Sequence, residues 1–244
     1  MSARKRPTPG TAPPAAPSID EKPRPLLVKT TLAERAYEIL KERILDQDVA
    51  PGTRLNIDAL ARETGVSTSP LREALAKLEA DRLVVSEPYS GYTVAPEPSI
   101  DYLGDLLDFR LLIEGHCALM GARRDNPKLL DEMRATIDDM SATRRLGTRY
   151  KEYRRFVAAD SRFHQLIIGS AGNQVASDTY RSMNAIMLQA RLYLHRSSGK
   201  ERAAEVSVEH ARILQAFKDH DGPAAKRALE AHLQGGKRRL LLRT

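Results

Sequence analysis

The sequence predicts a mainly α fold, an N-terminal winged helix-turn-helix followed by a C-terminal all-α helical bundle. Three observations lead there. Apolar residues recur at i, i+3 and i+4 through most of the 244 residues. Period-two alternation is confined to 83–87 and 92–95, on either side of the turn-forming run Pro88-Tyr89-Ser90-Gly91. From Ser99 onward the helical pattern continues with no strand-like stretch, and Pro, Gly and Asn cut it into segments.

Thr31-Leu32-Ala33-Glu34 is a capping-box pattern, and Ala36, Ile39, Leu40, Ile44 and Leu45 form an apolar stripe behind it. A first helix is therefore expected, ended by 48–52. Ile57, Leu60 and Ala61 mark a short second helix that closes at Gly65. Ser69-Pro70 is expected to open a third, with Ser as the cap and Pro in the first turn. In it Leu71, Leu75 and Leu78 face a core, which turns Arg72 outward together with Ser67, Thr68 and Ser69 at the helix start. A helix entering the major groove presents its N-terminal residues to base edges, where arginine can bind guanine and small hydroxyls can bind bases or phosphates. The hairpin that follows would be a wing, and its tip adds Tyr89 and Gly91 to the DNA-facing set. On periodicity alone, a small helical domain with an unrelated hairpin fits the same pattern. The module is expected to span 29–96, preceded by a disordered Pro-rich arm over 1–28 with five basic residues against two acidic.

The second module, 99–244, is read as helices over about 99–124, 127–145, 149–171, 174–197, 202–219 and 223–241. Asp160 and His164 are i,i+4 in the run Tyr153 to Ile168, so both project from one helical face. Asp219-His220-Asp221-Gly222-Pro223 forces a turn between the last two helices. His210 lies 11 residues before Asp221 and His232 lies 11 after it. At about 1.5 Å per residue each sits about 16 Å from the bend, so the two are level across an antiparallel hairpin. Three imidazoles and one carboxylate suit Zn²⁺ or another borderline divalent ion, with Ni²⁺ and Mn²⁺ as alternatives, and such sites commonly leave coordination for a water or ligand oxygen. Asp-x-x-x-His is common on helices that bind nothing; the levelled histidine pair is what makes the four residues a candidate site. Of the other histidines, His116 is expected to pack within its helix, His195 to lie near a helix end and His220 to occupy the turn.

Composition bounds the rest. The net charge is +7, but residues 1–98 hold 14 Lys+Arg and 14 Asp+Glu, so all of the excess lies in 99–244 and bulk charge does not pick out a DNA-reading domain. A lone cysteine, Cys117, forms no internal disulfide. No apolar run approaches the roughly 18 residues a spanning helix needs, and the basic N-terminus lacks the apolar middle of a secretion signal, so no membrane association and a cytoplasmic location are expected. Arg110 stands in the apolar run 106–113, and a charge turned inward there needs a partner; Glu114, four residues on, can supply a plain salt bridge.

Pro51-Gly52-x-x-Leu55, Leu60-Ala61, Gly65-Val66-Ser67, Pro70-Leu71-Arg72-Glu73-Ala74-Leu75, Leu78-Glu79 and Gly91-x-x-Val94 resemble the winged helix of the GntR family over about 30–96. The remainder resembles the FCD ligand-binding domain of that family's FadR-like branch, with Phe109-Arg110, Glu114, Asp160, Phe163-His164, Asn173, His210 and His232 in order. The resemblance implies that Arg110, with Glu114, lines an effector cavity beside the metal, and that Asn184 and Arg191 are further candidates for that pocket. It also implies a homodimer on palindromic double-stranded operator DNA, and no catalysis. Many members carry Arg where this chain has Thr68, so base readout there is expected to differ. The expected function is a transcription regulator whose operator affinity changes when a small carboxylate effector binds near the metal. Two other readings use the same residues: a sensor for which the ion itself is the signal, and a metal-dependent hydrolase, for which 150–242 offers no evident separate general base.

Overall fold

The computed structural model describes residues 31–87, 91–142, 149–183 and 202–241. The arm expected over 1–28 and the wing-tip residue Tyr89 lie outside these residues, as do Asn184, Arg191 and His195.

Helix α1 (Leu32–Leu45) begins where Thr31 Oγ1 accepts the Glu34 N–H at 3.1 Å. The reciprocal half of the capping box is absent, because the Glu34 carboxylate instead takes Lys77 Nζ at 2.9 Å on the third helix. Helix α2 (Ile57–Thr64) runs from the Asn56 cap to Gly65, whose φ of 66° is the left-handed turn that ends it. Helix α3 (Thr68–Ala80) starts two residues earlier than expected, with Ser67 as its cap. Pro70 is then the third helical residue, still inside the first turn where a backbone donor has no helical partner to lose.

Strands β2 (Val84–Glu87) and β3 (Gly91–Val94) pair in the order Val84 with Val94 to Glu87 with Gly91, forming the wing. A two-residue strand β1 (Arg54–Leu55), unmarked in the sequence pattern, pairs with the other edge of β3. Leu71, Leu75 and Leu78 are buried with Leu40, Leu45, Val84 and Val94, so one core ties α1, α3 and the wing together.

The bundle comprises α4 (Ile100–Gly121), α5 (Pro127–Ala142), α6 (Tyr150–Ser170), α7 (Gln174–Ser182), α8 (Arg202–Lys218) and α9 (Gly222–Leu241). Helix α4 packs on α6 and α9, α5 on α6 and α8, and α8 on α9. The turn before α9 takes the expected form: His220 adopts a φ of 53°, and Asp221 Oδ1 accepts the Ala224 N–H at 2.8 Å. Gly222 is required there for space, since a Cβ would run into the Leu119 carbonyl of α4. This close approach seats the α8–α9 hairpin against α4. His116 is exposed rather than packed, because α4 turns that position outward. Among the described residues no helix is long and apolar enough to cross a membrane.

Candidate functional site

The four residues singled out by spacing occupy inward positions of three helices. On α6 the buried stripe reads Tyr153, Phe156, Asp160, Phe163, His164 and Ile167, so Asp160 and His164 take slots that the helical period would otherwise give to apolar side chains. His210 follows Val206 and precedes Ile213 on the inner face of α8, and His232 lies between Leu229 and Leu233 on α9. The structure brings all four together: one ligand atom from each lies within 4.8 Å of the others. Asp160 Oδ1 is 3.7 Å from His164 Nε2 and 3.6 Å from His210 Nε2. Ligands at about 2.0–2.2 Å from a tetrahedral ion stand about 3.4 Å apart, so the two Asp160–imidazole pairs are already near that spacing, and the widest pair of the four has at most about 1.4 Å to close.

Two carboxylates that spacing did not assign to the cluster aim its rings. Glu114 of α4 accepts from His164 Nδ1 at 2.6 Å, and Glu209 of α8 accepts from His232 Nδ1 at 2.7 Å. A carboxylate can only accept, so each imidazole carries its proton on Nδ1 and turns the Nε2 lone pair to the cluster. Glu114 is fully buried and carries three partners: Arg110 Nε at 2.5 Å and Tyr180 Oη at 3.0 Å on Oε1, with His164 on Oε2. The Arg110–Glu114 salt bridge allowed by the i,i+4 spacing is thus present, but it is buried and reaches a third helix. His210 stacks on Phe163 with centroids 4.3 Å apart, and neither of its ring nitrogens, nor His164 Nε2, has a hydrogen-bond partner among the described residues. Each buried polar atom left this way costs about 1–3 kcal/mol, so an apolar core is not what this arrangement is built for. Nitrogen lone pairs converging on a carboxylate, with outer carboxylates behind them, fit a borderline divalent cation.

Electrostatics agree with the tautomers. Burial would raise the Glu114 carboxyl, but Arg110 and His164 outweigh it and hold the group well below the usual carboxylate range. Burial pushes His164 down to about 4, against the raising effect of Glu114, and His210 goes well below the ordinary histidine range through burial and the neighbouring His232. Both rings are therefore neutral in the metal-free fold at a pH where an unfolded chain, with a value of about 6.5, is taking up protons. The stability they confer is present above about 6.5 and is lost as pH falls toward 4. We expect the melting temperature of the metal-free protein to be level above about pH 7 and to fall from 6.5 downward, before exposed carboxylates titrate. Calorimetry showing no loss between 6.5 and 4.5 would contradict buried, neutral histidines.

The N-terminal module presents a second candidate surface. Ser67, Thr68, Ser69 and Arg72 are all exposed on one end of α3, opposite the buried Leu71, Ala74, Leu75 and Leu78. Gly91, at the wing, is exposed with a φ of 83°. Glu209 had no legible signal, since it precedes His210 yet serves His232 on the neighbouring helix. Tyr180 of α7 was likewise invisible to spacing.

Comparison with known proteins follows this division of the chain. The model of the FCD domain matches residues 105–235, and that of bacterial regulatory proteins of the gntR family matches 32–94. The HTH-type transcriptional repressor RspR of Escherichia coli is 29% identical over 202 residues, 82% of this chain and 85% of the repressor. An HTH-type transcriptional regulator of Bacillus subtilis, YdhC, is 25% identical over 196 residues, 80% of this chain and 85% of its own length. Among solved structures, E. coli McbR/YncC shares the fold with a TM-score of 0.63 at 19% identity, covering 87% of this chain and 98% of its own.

Proposed function

This chain belongs to the GntR family of bacterial regulatory proteins and carries an FCD domain, and from that premise we propose that a divalent metal and a small carboxylate together set its affinity for operator DNA. The family and the relatives are transcription regulators. The observation that carries the finer reading is the buried convergence of Asp160, His164, His210 and His232 with unsatisfied ring nitrogens. These four residues hold the ion, zinc by preference with nickel or manganese as alternatives, and a bound ion supplies a Lewis-acidic centre with room for a ligand oxygen.

Arg110 is the second anchor. Glu114 occupies its Nε and, at 3.4 Å, its Nη2, while among the described residues Nη1 has no hydrogen-bond partner. The guanidinium lies near enough to bear on both His164 and His210. A carboxylate effector is thus gripped by a cation on one side and a planar donor on the other. Glu114 serves this site by orienting Arg110 and His164; its own charge and its engaged oxygens make it a poor direct contact for an anion. Asn184 and Arg191 remain proposed pocket residues outside the described segments.

Ser67, Thr68, Ser69 and Arg72 of α3, with Tyr89 and Gly91 of the wing, read the operator. We place the protein in the cytoplasm, as a homodimer. Helix α4 supports a dimer: on its outward face Leu112 and Met120, two turns apart, are 75% and 38% exposed. Doubling on a palindrome supplies the specificity that one short helix lacks.

Native mass spectrometry of the protein from zinc-supplemented cells tests this in one measurement. The expected result is a dimer with one divalent ion per chain and a retained small acid. Ion-free chains would overturn the metal reading, a monomer the dimer. An ion that shifts operator affinity with no acid present would make the protein an ion sensor.

A further inference from the structure

Helix α6 carries Asp160 and His164 near its middle, and its N-terminal end is held by the DNA-reading module. Asp46, the residue that ends α1, has a side chain only 1% exposed. Its Oδ1 accepts the N–H of Tyr150, the first residue of α6, at 2.7 Å, and its Oδ2 takes Arg149 Nη1 at 3.3 Å. That backbone donor has no partner within its own helix, and a carboxylate there also meets the positive end of the helix dipole. Asp48 takes Arg149 Nη1 on both oxygens at 3.2 Å, and Arg154 reaches Glu38 at 3.4 Å. The last two pairs are exposed and contribute little in water; the buried Asp46 cap is the strong point of the seam.

The same seam reaches α3. Asp81, which ends α3, accepts from Tyr37 Oη of α1. The buried Lys41 lies 2.6 Å from Tyr37 Oη and 3.2 Å from Asp81 Oδ2, and its Nζ sits 5.9 Å over the Tyr150 ring. Contacts therefore run without a gap from the end of α3 through α1 to the start of α6. Asp160 follows Tyr150 by ten residues, about 15 Å along a continuous helix.

We propose that Asp46 is a positioning residue that moors the DNA-reading module to α6, so that a shift of α6 on loading of Asp160 and His164 is delivered to α3. The link to loading rests on the metal reading above; the mooring does not.

The test uses full-length wild type, Asp46→Ala and Asp46→Asn on duplexes selected by the wild type from a random pool, with the half-site spacing then varied. After chelation, the wild type is expected to prefer one spacing, and Asp46→Ala to bind neighbouring spacings within about twofold of it. Asp46→Asn, which keeps an oxygen for the Tyr150 N–H, should restore most of the preference. On titration with zinc alone, wild-type duplex affinity is expected to change by about tenfold, and that of Asp46→Ala by less than twofold at equal zinc stoichiometry. A wild-type spacing profile and zinc response in folded Asp46→Ala overturn the proposal. A wild type that binds no zinc ends the metal reading, and the spacing profile then decides the mooring by itself. Should Asp46→Ala not fold, the near-isosteric Asp46→Leu, which fills the same buried space without an acceptor for the Tyr150 N–H, decides by the same two readouts, and an undiminished response in it overturns the role.

Discussion

His210→Leu is expected to abolish stoichiometric metal binding while raising the melting temperature of the metal-free protein. Removing one ligand of four should weaken binding by more than the roughly 10- to 100-fold typical of losing an outer-shell partner. Stability moves the other way. The ring is fully buried, stacked on Phe163, and holds two nitrogens without hydrogen-bond partners among the described residues. Leucine nearly conserves volume and removes those unsatisfied atoms, a gain of about 1–3 kcal/mol, or several degrees for a chain of this size. A site kept for function and a core kept for stability respond oppositely to this change, which is why both readouts are needed. Elemental analysis finding wild-type metal content in the variant would remove His210 from the ligand set. A lower metal-free melting temperature would mean that packing on Phe163 outweighs the stranded nitrogens.

The convergence of the four residues was legible in the sequence because helices convert spacing into geometry. Asp160 and His164 share a face through the i,i+4 rule, and equal distances from the bend at Asp221 set His210 opposite His232. The same arithmetic could not find Glu209. Its target sits on the facing arm of the hairpin, and which rotational face α8 turns to α9 depends on packing across both helices. Glu114 shows the limit differently. Spacing predicted its pairing with Arg110, and the pair exists, but nothing along α4 shows that the carboxylate also meets His164 and Tyr180 from two other helices.

In the DNA-reading module the apolar stripes and turn residues sufficed for α1, α2 and the hairpin. The start of α3 was misplaced because Ser67 and Ser69 are equally good caps, and the choice depends on backbone angles: Ser67 has the extended φ and ψ of a cap residue. Strand β1 is two residues long, too short to show a period of two. The seam at Asp46 joins positions more than a hundred residues apart, and no local pattern encodes such a pairing. Helix content and inward faces are local properties of a sequence; the carboxylates that orient, cap or moor are not.

Arg72→Ala should cost the operator complex about 1–3 kcal/mol per half-site, or about 30-fold or more for a dimer that engages two. The size follows from where the residue stands. Leu71, Ala74, Leu75 and Leu78 fix α3 in the core with almost no exposure, so the helix is rigid, while Arg72 projects to solvent from its second turn. Among the described residues no hydrogen bond or ion pair uses its side chain, and the melting temperature should not change. Thr68 raises the stake, since a shorter side chain stands where the family commonly places arginine, leaving Arg72 as the long donor at the leading end of α3. The kind of loss separates its two roles. If Arg72 reads a base, the variant loses discrimination at one operator position and keeps its salt dependence; if it holds a phosphate, binding weakens alike on all sequences and the salt slope falls by about 1 per contact. Binding isotherms on the selected operator and a scrambled duplex, at two salt concentrations, distinguish these. Equal affinity of wild type and variant on both would move the reading surface off α3.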